Sequence, residues 1–226
     1  MNAAIVAIRP EPGLTATIAA AAVLGLTVEG APLSQIRALP WDVPAPGTID
    51  GLLLGSANAV RHGGEGLALL RNKPAFVVGG ATASVAREAG LTVAQVGQGG
   101  LQSVLDGLAG QNLRLLRLSG AEHVPLVPPE GVSLVTRIAY DSVALPIPPK
   151  LADRLRAGAI VLLHSAAAAR HLGQECARLG IDRQGLRLAA LGPRIAHAAG
   201  EGWGEARAAA GPDEAALLAL ARDMCH

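Results

Sequence analysis

Short runs of apolar and β-branched residues alternate along the chain with stretches of helical spacing that are rich in Ala and Leu. The apolar runs predict strands at residues 3–8, 50–54, 76–78, 113–118, 159–163 and 186–191. The stretches between them predict helices at residues 14–24, from 56 onward, at 81–89, at 195–199 and at 213–224. Strands and helices in alternation are typical of α/β proteins with parallel sheets.

Two stretches interrupt this alternation. Residues 28–41 and 133–145 are flanked by Pro, mix polar with apolar positions and are not followed directly by a helical pattern. We predict that both are extended and that they carry the chain across from one lobe of the protein to the other.

An internal repeat predicts how the lobes are organised. The segment at 50–59 resembles 158–169, the one at 76–83 resembles 188–196, and the one at 5–10 resembles 115–120. One set lies in the middle of the chain and its counterpart lies at the two ends. We therefore predict two three-layer, parallel-sheet α/β domains of similar fold, joined by a two-stranded crossing. Residues 37–136 form the inserted domain, residues 1–36 and 137–226 form the discontinuous one, and the active site lies in the cleft between them.

Composition and charge argue against nucleic-acid binding. The apolar fraction of 50% is enough for a substantial core, and the aromatic fraction is only 2%. The net charge of +1 provides no basic field, and Lys73 and Lys150 are the only lysines. Nucleic-acid binding is therefore not expected.

The remaining bulk features predict a cytoplasmic protein. Cys176 and Cys225 form no disulfide or metal-binding pattern. No basic region precedes the first apolar run, and the Ala-rich stretch at 14–28 is too short to span a bilayer. We expect no membrane contact and a monomer, since a two-lobed enzyme needs lobe motion rather than a partner.

Hydrogen-bonding residues follow the predicted strands. In parallel sheets, ligands bind beyond the carboxyl ends of the strands, where helix N-termini present free N–H groups. The candidates at these ends are Ser56, Asn58, Thr82, Ser119 and Ser165. Taken singly, each of them is better explained as a helix cap or turn residue. Together they predict two edges suited to a ligand rich in carboxylates.

Established catalytic motifs are missing from the sequence. It contains no phosphate-binding loop, no dinucleotide fingerprint and no nucleophile elbow, and 97–100 is predicted to be a loop. No metal-ligand spacing is found among His62, His123, His164, His171, His197 and His226. Tyr140, the only tyrosine, lies in the second crossing, where packing and a role in the cleft are equally compatible with the sequence.

These motifs, taken in order, resemble the uroporphyrinogen-III synthase family over essentially the whole chain. The matching segments are Ile8-Arg9-Pro10, 54–60, 78–83, Ala139-Tyr140, His164-Ser165 and Leu191-Gly192-Pro193. The resemblance implies a cofactor-independent enzyme that cyclises the linear tetrapyrrole hydroxymethylbilane to uroporphyrinogen III. Water leaves from the terminal hydroxymethyl group, and the last pyrrole ring is inverted through a spiro intermediate.

The resemblance also implies roles for individual residues. Tyr140 matches the family tyrosine proposed to act near the leaving hydroxyl. The residues expected to bind the substrate are Arg9, Ser56, Asn58, Thr82, Ser119, Ser165, Gly192 and Arg194. No metal or organic cofactor is expected, because the substrate is reactive and the enzyme mainly has to fold it correctly.

The chain departs from the family at two of these positions. The family usually has Thr after Gly-Pro, whereas Arg194 follows Gly192-Pro193 here. It often has Arg-Gly and a further basic residue after the strand at 113–118, whereas Ser119-Gly120 stands here. A hydroxyl and some positive charge are thus missing, and we hypothesise that Arg194 restores one cation.

Two other functions remain open from the sequence. A non-catalytic two-lobed binding or sensor protein would bind carboxylate ligands without turnover. A nucleotide-dependent enzyme of the doubly wound type would need phosphate-binding motifs, and these are missing.

Overall fold

Strands and helices alternate over most of residues 3–225, the part that the computed structural model describes. His226 lies outside it. The strands are β1 (Ala4–Ala7), β2 (Val28–Gly30), β3 (Ser34–Ala38), β4 (Gly51–Leu54), β5 (Pro74–Val78), β6 (Thr92–Gly97), β7 (Leu113–Gly120), β8 (Val132–Ala144), β9 (Ala159–Leu163), β10 (Leu186–Ala190) and β11 (Glu205–Ala208). The α-helices are α1 (Gly13–Val23), α2 (Ala57–Arg61), α3 (Gly64–Ala68), α4 (Gly80–Glu88), α5 (Leu101–Asp106), α6 (Pro149–Arg156), α7 (Ala166–Leu179), α8 (Pro193–Ala198) and α9 (Glu214–Asp223).

The strands form two sheets that are largely parallel. One has the order β11-β10-β9-β1-β2 and the other the order β3-β8-β7-β4-β5-β6. Neighbours from β11 to β2 in the first sheet and from β8 to β6 in the second pair in parallel. The predicted α/β class with parallel sheets is confirmed.

The chain divides into two compact units. The first contains the described residues up to Gln35 and from Val143 onward, and the second is Ile36–Ser142. We call them the terminal unit and the middle unit. The second boundary falls after residue 142, within β8, whereas the sequence predicted it after 136.

The two sheets have equivalent strand orders. Reading β11-β10-β9-β1-β2 beside β6-β5-β4-β7-β8 pairs β9 with β4, β10 with β5 and β1 with β7. These are the three pairs of segments that the internal repeat identified. The middle unit carries β3 as an additional edge strand.

Each sheet has an apolar core on both faces. In the terminal unit, Val6 and Val161 join the core beneath α6, α7 and α8, whereas Ile5 and Ile160 join the core beneath α1 and α9. Neighbouring residues of one strand belong to opposite cores because side chains alternate between the faces of a sheet. Leu52 and Leu53 divide in the same way in the middle unit.

Several elements escaped the sequence pattern. The edge strands β6 and β11 have mostly exposed or half-buried side chains, so neither shows the apolar run that predicted the central strands. Helix α6 also went unpredicted, although its buried residues have helical spacing. The strand predicted at 113–118 continues to Gly120.

Glu175 of α7 ties this helix to the chain that enters α6. Its carboxylate accepts the backbone N–H of Ile147 at 2.7 Å and two guanidinium N–H groups of Arg178, each at 2.7 Å. The Arg178 bonds, helped by the Ile147 N–H, lower the pKa of Glu175 from 4.5 to about 2 against the effect of burial. The carboxylate is therefore ionised wherever the protein is folded near neutral pH.

Replacing Glu175 with glutamine is expected to lower the free energy of unfolding at pH 7 by about 2 kcal/mol. Because the folded pKa is the lower one, the stabilisation is complete above about pH 4.5 and is lost as the pH falls towards 2. Urea unfolding at pH 7 and pH 3 measures the difference. The control is Asp153→Asn, which breaks an exposed pair with Arg156 and is expected to change stability by less than about 0.5 kcal/mol. An equal Glu175→Gln deficit at both pH values would contradict this account.

No helix in the described range is long and apolar enough to cross a membrane.

Candidate functional site

Three predicted site residues lie at one edge of the terminal unit's sheet. Strands β1, β9 and β10 are parallel neighbours, and Arg9, Ser165 and Gly192 come just after their carboxyl ends. The fold thus brings together residues that are far apart in the sequence.

Ser165 is the N-cap of α7. Its hydroxyl oxygen accepts the backbone N–H of Ala168 at 3.1 Å, and the residue is exposed. A hydroxyl that accepts one hydrogen bond still has its own proton to donate. Capping the helix and binding a carboxylate are therefore compatible roles.

Arg9 takes part in a polar cluster within the terminal unit. Its Nη1 donates to Glu214 at 3.0 Å and to the Thr17 hydroxyl at 3.2 Å. Thr17 itself donates to Glu214 at 2.7 Å. Arg9 is thus already paired with an acid, so its charge is largely compensated before any ligand arrives.

His164 completes this cluster. Its Nε2 donates to the Glu214 carboxylate at 3.2 Å, while its buried Nδ1 has no hydrogen-bond partner in the described structure. Burial opposes ionisation of Glu214, but the bonds from His164 and Thr17 prevail and hold its pKa below the ordinary value. No motif in the sequence singles out Glu214, which follows the N-cap Asp213 at the start of α9.

Arg194 is the second residue of α8, and its side chain is exposed. Gly192 is the N-cap of the same helix. Within residues 3–225, Arg194 makes no ion pair, in contrast to Arg9.

Ser56 and Asn58 lie at the corresponding edge of the middle unit. Ser56 follows β4 and caps α2 by accepting the Asn58 backbone N–H at 3.1 Å. The Asn58 side-chain oxygen accepts a bond of 3.5 Å from Arg61. Ser56 therefore corresponds to Ser165 in function as a cap as well as in sequence.

Thr82 belongs to the first turn of α4, which follows β5. The N-cap of this helix is Gly79, with φ of +78°, and it has no side-chain capping bond. A residue with a side chain rarely adopts this backbone conformation, which explains the glycine. Thr82 itself is buried, with 6% exposure, so its hydroxyl is not on an open surface.

Ser119 does not follow a strand end as the sequence predicted. It is the penultimate residue of β7, half-buried and paired in register with Ile138 of β8. The prediction ended the strand at Leu118 because the Ser-Gly pair resembles a turn. The parallel pairing with β8 extends the strand instead.

Tyr140 lies on β8 opposite Gly120, beside an irregularity in the register between the two strands. A side chain added at Gly120 would lie 2.7 Å from ring carbons of Tyr140 and 3.0 Å from its hydroxyl oxygen. The ring therefore rests on the space that this glycine leaves free, and its position depends on Gly120.

His62, at the end of α2, lies near the Tyr140 ring. The ring centroids are 6.1 Å apart and the planes meet at 40°. Burial, together with the positive charge of Arg61, lowers the pKa of His62. A neutral imidazole is thus the form next to Tyr140 at neutral pH. Because the two residues are far apart in the sequence, no local pattern predicts this contact.

The described residues contain no cluster of three or more His, Cys, Asp or Glu side chains that could hold a metal ion.

Comparisons with known proteins identify a family and a shared fold. A family model described as uroporphyrinogen-III synthase HemD matches residues 16–219. Comparison with curated protein sequences gives no significant match. The uroporphyrinogen-III synthetase of Helicobacter pylori 26695 is similar in structure, with a TM-score of 0.66, 16% identity and coverage of 98% of this chain and 99% of that one. A substituted uroporphyrinogen III synthase of Thermus thermophilus gives a TM-score of 0.56, 19% identity and coverage of 99% and 98%. At these identities the structures support the shared fold.

Proposed function

Because the chain belongs to the uroporphyrinogen-III synthase family, we propose that it cyclises hydroxymethylbilane to uroporphyrinogen III. The observation that carries this proposal is the family match over residues 16–219. In the proposed reaction, the terminal C–O bond breaks and the protonated hydroxyl leaves as water. The substituted carbon of the last pyrrole then attacks the methylene carbon left behind and forms the spiro intermediate, through which that ring is inverted. The proposed class is a cyclising hydro-lyase.

Two chemically similar edges support a carboxylate-rich substrate. Ser56 and Ser165 both cap helices and both retain a hydroxyl proton that can be donated. Helix α7 adds unpaired N–H groups and a positive dipole end. We propose that these edges bind the acidic side chains of the tetrapyrrole, with Arg9, Asn58, Ser119, Gly192 and Arg194 as further contacts. Thr82 is buried, so we leave it out of the proposed contacts.

The cations at the terminal edge have different roles in this proposal. Arg9 shares Glu214 with Thr17 and His164, so it offers little net charge to a ligand. Arg194 is exposed and bears its charge at the start of α8. We propose that Arg194 supplies a cation in place of the one that the departure from the family pattern removes after β7, in the middle unit.

Tyr140 is proposed to donate a hydrogen bond to the leaving hydroxyl. A phenol is a weak acid, suited to a hydrogen bond or a late proton transfer. The chemistry needs no stronger acid because the substrate closes without help, although to the wrong isomer. Positioning is then the main catalytic contribution.

The nested domain arrangement, the monomeric state and the cytoplasmic location stay predictions. The competing function, a binding or sensor protein without catalysis, predicts the same carboxylate-binding edges. It differs only in turnover.

A rate measurement separates the two functions. Freshly generated hydroxymethylbilane is mixed with increasing amounts of protein, and its disappearance is followed against the spontaneous closure. An enzyme accelerates the loss in proportion to its concentration. A binding protein leaves the rate unchanged or slows it by sequestering the substrate, and that result would refute the proposed function.

A further inference from the structure

Arg117 is a buried cation without an acidic partner. It lies on β7 with 5% exposure, and its Nη1 donates to the carbonyl of Val124 at 2.8 Å. Its Nε is buried without a hydrogen-bond partner, and within the described chain it makes no ion pair. Burial lowers the pKa of the guanidinium, with Tyr140 acting in the opposite direction. A guanidinium nevertheless stays charged at neutral pH, so an uncompensated charge is buried here.

The internal repeat identifies the counterpart of Arg117 in the terminal unit. Aligning 115–120 with 5–10 sets Arg117 against Ala7, which is fully buried under α1. It also sets Ser119 against Arg9. Residues two apart lie on the same face of a strand. Arg117 of the middle unit thus lies on the same face of its strand as the counterpart of Arg9, but two positions earlier in the strand.

The segment that covers the Arg117 face of the sheet also differs between the two units. In the terminal unit, β1 and β2 are joined through α1, whereas β7 and β8 are joined by residues 121–131, which contain no helix or strand. This connection carries Pro125, Pro128 and Pro129, and prolines disfavour a helix there. Arg117 fits into the unit because the connection over it is irregular where the terminal unit has a packed helix.

The connection at 121–131 is held at its two ends by backbone bonds of Ala121 and Glu130, and between them by few side-chain contacts. Val124 and Val127 are 64% and 74% exposed, so their apolar side chains contribute little to a core. Gln102 bonds the carbonyl and the N–H of Val127, and the His123 ring bonds only the nearby carbonyls of Gly120 and Ala121. Displacing residues 122–126 would release the Val124 bond of Arg117, withdraw the half-buried Leu126 from the core beneath α5, and expose the guanidinium.

We propose that Arg117 is a substrate-binding residue that pairs with a carboxylate of the tetrapyrrole when the 121–131 connection moves aside. This inference rests on the proposed function. A planar guanidinium binds a carboxylate through two parallel hydrogen bonds, which would also satisfy the Nε left without a partner. Arg117 would then supply, from within the strand, the positive charge that the family carries after it.

Binding of uroporphyrinogen III, measured by anaerobic calorimetry, tests this proposal. Arg117→Met is expected to weaken the Kd about tenfold, since a hydrogen-bonded ion pair is lost. Arg117→Lys, which keeps the charge, is expected to recover part of the affinity. The control is Arg87→Met, which removes an exposed charge in the last turn of α4 and should leave the Kd unchanged.

Thermal unfolding without ligand distinguishes binding from a structural role. Removing a buried charge that has no acidic partner should leave the Tm of Arg117→Met unchanged or higher. An unchanged Kd in Arg117→Met would overturn the proposal. So would a lower Tm together with equal loss of binding in Arg117→Met and Arg117→Lys, because Arg117 would then only hold the connection in place.

The wild-type protein separates this inference from the proposed function. If it binds uroporphyrinogen III through Arg117 but does not accelerate cyclisation, the proposed function fails and the binding site stands. If the wild-type protein is active and Arg117→Met binds uroporphyrinogen III normally, the proposed function stands and the Arg117 binding site fails. A wild-type protein that does not bind uroporphyrinogen III overturns the binding site.

Discussion

Replacing Tyr140 with phenylalanine is expected to lower kcat for uroporphyrinogen III formation about 100-fold, with little change in KM. General acid catalysis contributes about 10²–10⁴-fold, and a phenol, as a weak acid, belongs at the lower end of that range. The substitution removes the hydroxyl but keeps the ring that rests over Gly120 and beside His62. Steady-state kinetics with freshly generated hydroxymethylbilane measures the effect.

The Tm of the Tyr140→Phe variant serves as the control. It should match that of the wild-type protein, because no hydrogen bond of the Tyr140 hydroxyl is part of the described fold. A kcat within about twofold of the wild-type value would assign Tyr140 to packing alone, since the expected contribution of a proton donor is far larger.

Replacing Gly120 with alanine is expected to lower kcat roughly 10- to 100-fold by displacing Tyr140. The new methyl group would lie 2.7 Å from two ring carbons, so the ring has to move. Displacing a catalytic group by about 1 Å can cost a factor of about 100. The same kinetic assay measures this loss.

Two variants make the Gly120 prediction specific. Gly47→Ala is the matched control, because nothing lies within 4 Å of a side chain added there. The double variant Gly120→Ala, Tyr140→Phe should be no slower than Tyr140→Phe alone if both changes act through the hydroxyl. Losses that multiply in the double variant would show that Gly120 acts by another route.

The sequence predicted the central strands well because they are buried on both faces. Such strands consist of continuous apolar runs, as in Ala159–Leu163, which makes them visible without an alignment. The edge strand Glu205–Ala208 is held by backbone bonds to β10, and none of its residues is buried. Hydrogen bonding to a neighbour leaves no trace in hydropathy, so this strand was missed.

Strand ends were predicted less well than strands, and the candidate site depends on them. Ser165 and Ser56 do cap helices, because Ser before an Ala-rich run is a local signal. Ser119 lies within β7 because pairing with β8 extends the strand, which is a tertiary effect. Local composition cannot distinguish these two outcomes.

Charge compensation was the least predictable property. Arg9 is separated from Glu214 by 205 positions, and only the fold reveals that they are paired. Nothing in the sequence singles out Arg117, which is buried without an acidic partner. Both facts depend on contacts between distant segments.

The identity of the cyclised product tests the central claim most directly. Hydroxymethylbilane is generated in the presence of the wild-type protein, the product is oxidised, and the uroporphyrin isomers are separated. The proposed function predicts isomer III, formed with inversion of the last ring, in a proportion that rises with protein concentration. The symmetric isomer alone, formed at the uncatalysed rate at every protein concentration, would contradict it.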